Sequence, residues 1–162
     1  MPRNNFLLNG DEVLRVIYRL LTIVRADAQF CGPDEDSCNP LNGLRAAFME
    51  DELVHGLISS AVYNRIHMEH MRDIIGGPEE KICGYMKTNW KEETVRDLTF
   101  RETCNKIIHA MHIVFEAAGD PKYYPVSDIF ILRGNLNGQP WQARVDLEKY
   151  ARATVLNFKR PQ

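Results

Sequence analysis

Residues 98–119 read LTFRETCNKIIHAMHIVFEAAG, and the period assigned to this stretch decides what fold the whole chain is given. Thr99 followed by Glu102 is the pattern in which two side chains each satisfy the other residue's backbone N–H, so a helix starts here. Gly119 tolerates a left-handed C-terminal cap and Pro121 blocks continuation. At about 100° per residue, Phe100, Cys104, Ile107, Ile108, Met111, Val114, Phe115 and Ala118 share one face, which this spacing assigns to the core. Arg101, Asn105, His109, His112 and Glu116 fall along one polar edge of that face, and they form the candidate site.

Toward the N-terminus, Asn9 with Glu12 opens a helix to about Gln29, carried by Val13, Ile17, Leu20, Leu21, Val24 and Ala28. CGPDEDSCNP (31–40) is a loop whose Asp34, Glu35 and Asp36 lack the alternating ligands of a calcium site. A second helix is predicted over Leu41–Ile75, with a break near Gly43 or Gly56, a core face of Leu53, Leu57, Ala61, Met68, Met71 and Ile75, and a stop at Gly76, Gly77 and Pro78. A shorter helix over Glu79–Trp90 and the charged connection KEETVRD follow.

Beyond the central stretch the pattern changes. SDIFILRG (127–134) and QPWQARVDL (139–147) flank Asn137-Gly138, the dipeptide that most favours a type I′ hairpin turn. Folding there pairs Leu136 with Gln139, Gly134 with Trp141, Leu132 with Ala143 and Phe130 with Val145 on one face. Arg133 with Gln142, Ile131 with Arg144 and Ile129 with Asp146 make a mixed face. Leu147–Phe158 closes as a short helix before a basic tail, KRPQ. The fold class expected is mainly α: a four- to five-helix bundle with a C-terminal β-hairpin, in a single domain over 1–162. Its helical part is about 9–119, the hairpin about 127–147 and the closing helix about 147–158.

The totals suit one globular domain: 162 residues, 44% hydrophobic and 26% charged. With 20 basic and 22 acidic residues, for a charge of −2, no global field attracts nucleic acid, and binding it would need a local basic patch. MPRNNFLLNGDE has no leader pattern. Val13–Val24 is interrupted by Arg15 and Arg19 and is too short to span a bilayer. A soluble, cytoplasmic protein without membrane partners is expected. Cys31, Cys38, Cys83 and Cys104 show no CxxC pairing, so reduced thiols are the default, with Cys31 and Cys38 the pair a disulfide would join.

His67 with His70 and His109 with His112 are two HxxH pairs, the residues a helical metal site would use. Their spacing is not that of HExxH, and no metal or cofactor is expected. No GxGxxG, P-loop or GxSxG occurs. Arg101, Asn105 and His109 recur every four residues and stack on one helix edge. A neutral histidine can take the proton of a ribose 2′-hydroxyl while arginine holds the phosphate. His109, Arg101 and Asn105 are thus the catalytic candidates, with His112 and Glu116 as substrate contacts.

The run FRETCNKIIHA (100–110) resembles the signature of HEPN domains, in which an arginine, commonly followed by a polar residue such as asparagine, precedes a histidine by four to six residues. Asn105 and His109 match that asparagine and histidine. Cys104 stands where the family has arginine, and Arg101 is the nearest upstream. The resemblance implies a helical, dimeric, RNA-directed protein: a metal-independent ribonuclease of a defence or toxin–antitoxin system, or a degenerate RNA-binding member. RNA and a second copy of the chain are the implied partners. Two other readings stand beside it, a noncatalytic dimeric interaction module and a histidine-rich metal-binding helical protein.

Overall fold

The computed structural model describes residues 9–31, 40–71, 81–88, 94–121 and 123–158. Helix α1 (Gly10–Phe30) starts where the Asn9 side chain accepts the Asp11 N–H, and it buries Val13, Ile17, Leu20 and Val24 as their spacing predicts. Ala28, assigned to the same face, is exposed. Helix α2 (Pro40–Met71) runs without a break through Gly43 and Gly56. Gly56 answers a packing need instead: a Cβ there would stand 2.7 Å from Leu20 Cδ2 of α1. The predicted stop at Gly76–Pro78, the acidic loop, Cys38 and the basic tail lie outside the described residues.

The chain then departs from the predicted bundle. In place of a helix over 79–90, Ile82–Lys87 is strand β1, and the charged connection leads into β2 (Arg96–Thr99). A six-residue run such as ICGYMK fits either period. Neighbours on both sides decide it, because β2 and β5 pair with β1 along its length.

The central stretch divides in two. Its capping box forms as predicted, and α3 (Phe100–Ile108) buries Phe100, Cys104 and Ile107. The helix nevertheless ends at His109 rather than Gly119, and His112–Ala117 is strand β3. Phe115 is buried from the strand, while Met111 (68% exposed) and Val114 (41% exposed) are not core residues. The cause is non-local. β-Branched and aromatic residues in HIVFEA suit a pleated surface, and β4 supplies the partners, beginning with the Met111 N–H donated to the Arg133 carbonyl at 2.8 Å.

Strands β4 (Val126–Leu136) and β5 (Gln139–Asp146) form the hairpin in the register read from the sequence, from Leu136–Gln139 to Ile129–Asp146. Asn137 and Gly138 turn the chain at φ 51° and 81°, the positive pair a type I′ turn requires. The hairpin is no appendage but the middle of a five-stranded antiparallel sheet ordered β2-β1-β5-β4-β3. Helix α4 (Leu147–Phe158) follows directly. Among the described residues the mainly α bundle is therefore replaced by a mixed fold of four helices and this sheet. α1, α3 and α4 lie on one sheet face, burying Leu98, Phe115, Phe130, Leu132, Ala143 and Val145, and α2 packs across these three helices. No described helix is long and apolar enough to cross a membrane.

One buried ion pair joins the layers. Arg45 of α2 donates from Nε and Nη2 to the two Asp27 carboxylate oxygens of α1, at 2.5 and 2.7 Å, and both side chains are almost inaccessible. Arg45→Ala leaves that carboxylate buried without its counter-charge and should cost about 3 to 5 kcal/mol in urea unfolding. Ile107→Ala should cost about 2 to 5 kcal/mol, whereas Met111→Ala should stay within about 0.5 kcal/mol. A large loss at Met111 would contradict the strand assignment.

Candidate functional site

Antiparallel pairing sets residues from distant parts of the chain side by side. On the sheet face turned away from the helices, Lys87 pairs with Gln142, Gln142 with Arg133 and Arg133 with His112. Four strands thus give one polar side chain each to a single row, about 14 Å long at about 4.8 Å per strand. Lys87, Arg133 and His112 are exposed, and Arg133 Nε donates to Gln142 Oε1 at 3.0 Å.

The next row runs Tyr85, Arg144, Ile131, Val114. Arg144 donates from Nε and Nη2 to both Glu116 oxygens at 2.8 and 2.6 Å, reaching over β4, and from Nη1 to the Tyr85 hydroxyl at 3.3 Å. These hydrogen bonds hold the Glu116 carboxyl below its ordinary pKa and raise that of Arg144. Asp146, at the end of this face, accepts the Lys149 N–H at the start of α4.

The residues expected along one helix edge are separated by this fold. Arg101 and Asn105 remain half-buried on α3. His109 is the exposed C-cap, its N–H donated to the Asn105 carbonyl at 3.0 Å. His112 begins β3 in the basic row, and Glu116 is bound to Arg144. α3 is itself well fixed. Arg96 bonds Glu102 at 2.8 Å and Lys106 lies 4.2 Å from the Trp141 ring centre. Burial lowers the Lys106 pKa.

Cys104, at the position of the motif arginine, is fully buried beneath α3, and burial drives its pKa up; the Cys83 thiol is pushed up to about 12 in the same way. Neither is a nucleophile at neutral pH.

The histidine pairs do not converge. The His67 ring stacks on Phe158 at 4.3 Å and its Nε2 lies 3.1 Å from the Asn157 carbonyl oxygen, while His70 is exposed near the end of the same helix, His109 at the end of α3 and His112 at the start of β3. Among the described residues no group of three or more His, Cys, Asp or Glu is placed to hold a metal ion.

A second polar cluster, unread in the sequence, joins α2 to α4. Tyr150 Oη and Ser60 Oγ are 2.9 Å apart, Asn64 donates to Tyr150 and Thr154, and Asn157 donates to Asn64. All five are buried, which makes the cluster a clamp closed to ligands. Alternation along β4 and β5 does place Arg133, Gln142 and Arg144 on one face in the sequence. Tyr85, Lys87 and His112 join them only through the sheet order.

No protein-family model, curated protein or solved structure matches this chain.

Because the folded-state pKa of Glu116 is depressed, its pairing with Arg144 stabilises fully above the ordinary glutamate value of about 4.3 and is lost as the pH falls through the lower folded value. Wild type should therefore melt above Glu116→Gln at neutral pH, with the gap closing in acid. A gap independent of pH would show that the charge contributes nothing.

Proposed function

We propose that this chain is an RNA-directed binding protein of the cytoplasm whose ligand surface is the outer face of the sheet. The observation that carries this reading is the row Lys87–Gln142–Arg133–His112 beside the exposed Tyr85 ring. Cationic and amide donors at strand spacing can follow a sugar–phosphate backbone, and an aromatic ring on a sheet gives an unpaired base a stacking surface. Such a row is the local basic patch that a chain of charge −2 needs. Ile131, Val114 and Ile129 extend the surface with apolar contact next to the paired Arg144.

A second reading, cleavage of the bound strand, is favoured by His109, exposed at the C-terminal end of α3 and three residues before His112. There it can take the 2′-hydroxyl proton as that oxygen attacks the phosphorus, Arg101 or Arg133 holding the phosphate, so that the P–O5′ bond breaks, the 5′-oxygen takes a proton from water and a 2′,3′-cyclic phosphate is left.

Fluorescence anisotropy with labelled single-stranded RNA tests the binding. Lys87→Ala and Arg133→Ala should each weaken it and lower the salt slope by about 0.7. Tyr85→Ala should cost about 1 to 3 kcal/mol with the slope unchanged. Absence of binding at low salt, or affinity indifferent to all three substitutions, refutes the proposal. RNA recovered from the same samples reports cleavage. Products formed in EDTA and lost in His109→Ala support the second reading, and intact RNA rejects it.

A further inference from the structure

Helix α2 has two apolar stripes where a surface helix needs one. The inner stripe, with Leu53, Leu57, Ala61 and Met68, is buried. The outer one runs Leu44, Phe48, Asp51, His55, Ile58, Val62 at alternating steps of four and three, the seam spacing of a coiled coil. Its large apolar members are exposed: Leu44 51%, Phe48 59%, Ile58 40% and Val62 38%. Asp51 and His55 between them are exposed too.

We propose that this stripe is the interface of a homodimer in which α2 packs antiparallel against α2 of a second copy. With the two-fold axis at the level of Leu53, Leu44 meets Val62 of the second copy, Phe48 meets its Ile58 and Asp51 meets its His55. Each contact occurs twice, as an isologous interface requires. The middle of the seam is then a pair of Asp–His contacts between complementary groups, flanked on both sides by apolar layers.

Other arrangements lose this charge complementarity. A parallel pair sets Asp51 on Asp51 and His55 on His55. Sliding the antiparallel pair by a heptad sets Phe48 on Asp51 and Leu44 on His55, or Asp51 on Val62 and His55 on Ile58. A polar layer in an otherwise apolar seam fixes register in this way.

The layers from Leu44 to Val62 extend about 27 Å along the helix. Leu44 and Phe48 of this seam also line a pocket of about 190 Å³ between α1 and α2, together with Ile23, Phe30 and Met49. The surface lies beyond α1, α3 and α4 from the sheet, so the proposal does not depend on RNA binding.

Light scattering behind size exclusion, on the full chain, tests it. The wild type should show twice its 18.7 kDa chain mass. Phe48→Glu should show the single mass with an unchanged far-ultraviolet circular dichroism spectrum. Val62→Glu, in the facing layer, should do the same and covers the case in which the first variant folds poorly. Asp51→His and His55→Asp should each weaken the dimer alone by setting like groups together, and their equimolar mixture should restore it. A monomeric wild type, a dimer that survives both glutamate substitutions, or a mixture no more dimeric than its components would overturn the proposal.

Discussion

The Asp27–Arg45 pair is the contact on which the arrangement of layers depends. Removing two charges from water costs several kcal/mol per ion unless every lone pair and proton finds a partner, and here most find one. Beyond its two bonds to Asp27, Arg45 donates to the carbonyls of Pro121, at 2.8 Å, and Tyr124, at 3.1 Å. Asp27 in turn accepts the Val126 N–H at 2.9 Å. The hydrogen bonds that Arg45 donates to Asp27 raise the arginine pKa further, against the opposing push of burial. The end of α1, the start of α2 and the first residue of β4 are thereby fixed at one point. A planar guanidinium, with five donors in a fixed fork, suits that junction where lysine would not.

The clamp between α2 and α4 acts in the same way at the other end of the helical layer. Ser60, Asn64, Tyr150, Thr154 and Asn157 satisfy one another in a site without water access. A polar cluster of this kind tolerates few alternative packings, because any shift leaves a buried group unpaired. α2 is held to the rest of the molecule at both ends by polar geometry and between them by Leu53, Leu57 and Ala61. Its outer stripe is therefore a rigid surface.

These two fastenings leave the molecule with two opposed surfaces of different chemistry. The outer sheet face mixes cationic, amide and aromatic groups over aliphatic residues; of its acidic members, Glu116 is bound to Arg144 and Asp146 to the α4 backbone, while Asp97 of β2 is exposed opposite Tyr85. The outer stripe of α2 is apolar with one acid and one histidine at its middle. A strand of RNA on one and a second copy on the other would not compete for space.

The sequence by itself determined the elements whose signals are local. Asn9 and Thr99 start helices through bonds within three residues, and Asn137-Gly138 sets the register of all eight hairpin pairs, because a turn and the alternation on either side leave one solution. The tertiary structure decided the rest. HIVFEA and ICGYMK fit a helix or a strand nearly equally, and the free edges of the hairpin turned them into strands by offering backbone partners. The candidate site shared that fate. Arg101, Asn105 and His109 stayed together because one helix carries them, whereas His112 and Glu116 moved to the sheet once β3 formed. Asp27 and Arg45 each stand at a core position of their helix, a visible signal, yet which charge answers which depended on how α1 and α2 cross. Local hydrogen bonds can be read in order along the chain, while pairing between strands and between buried charges exists only after distant segments have met.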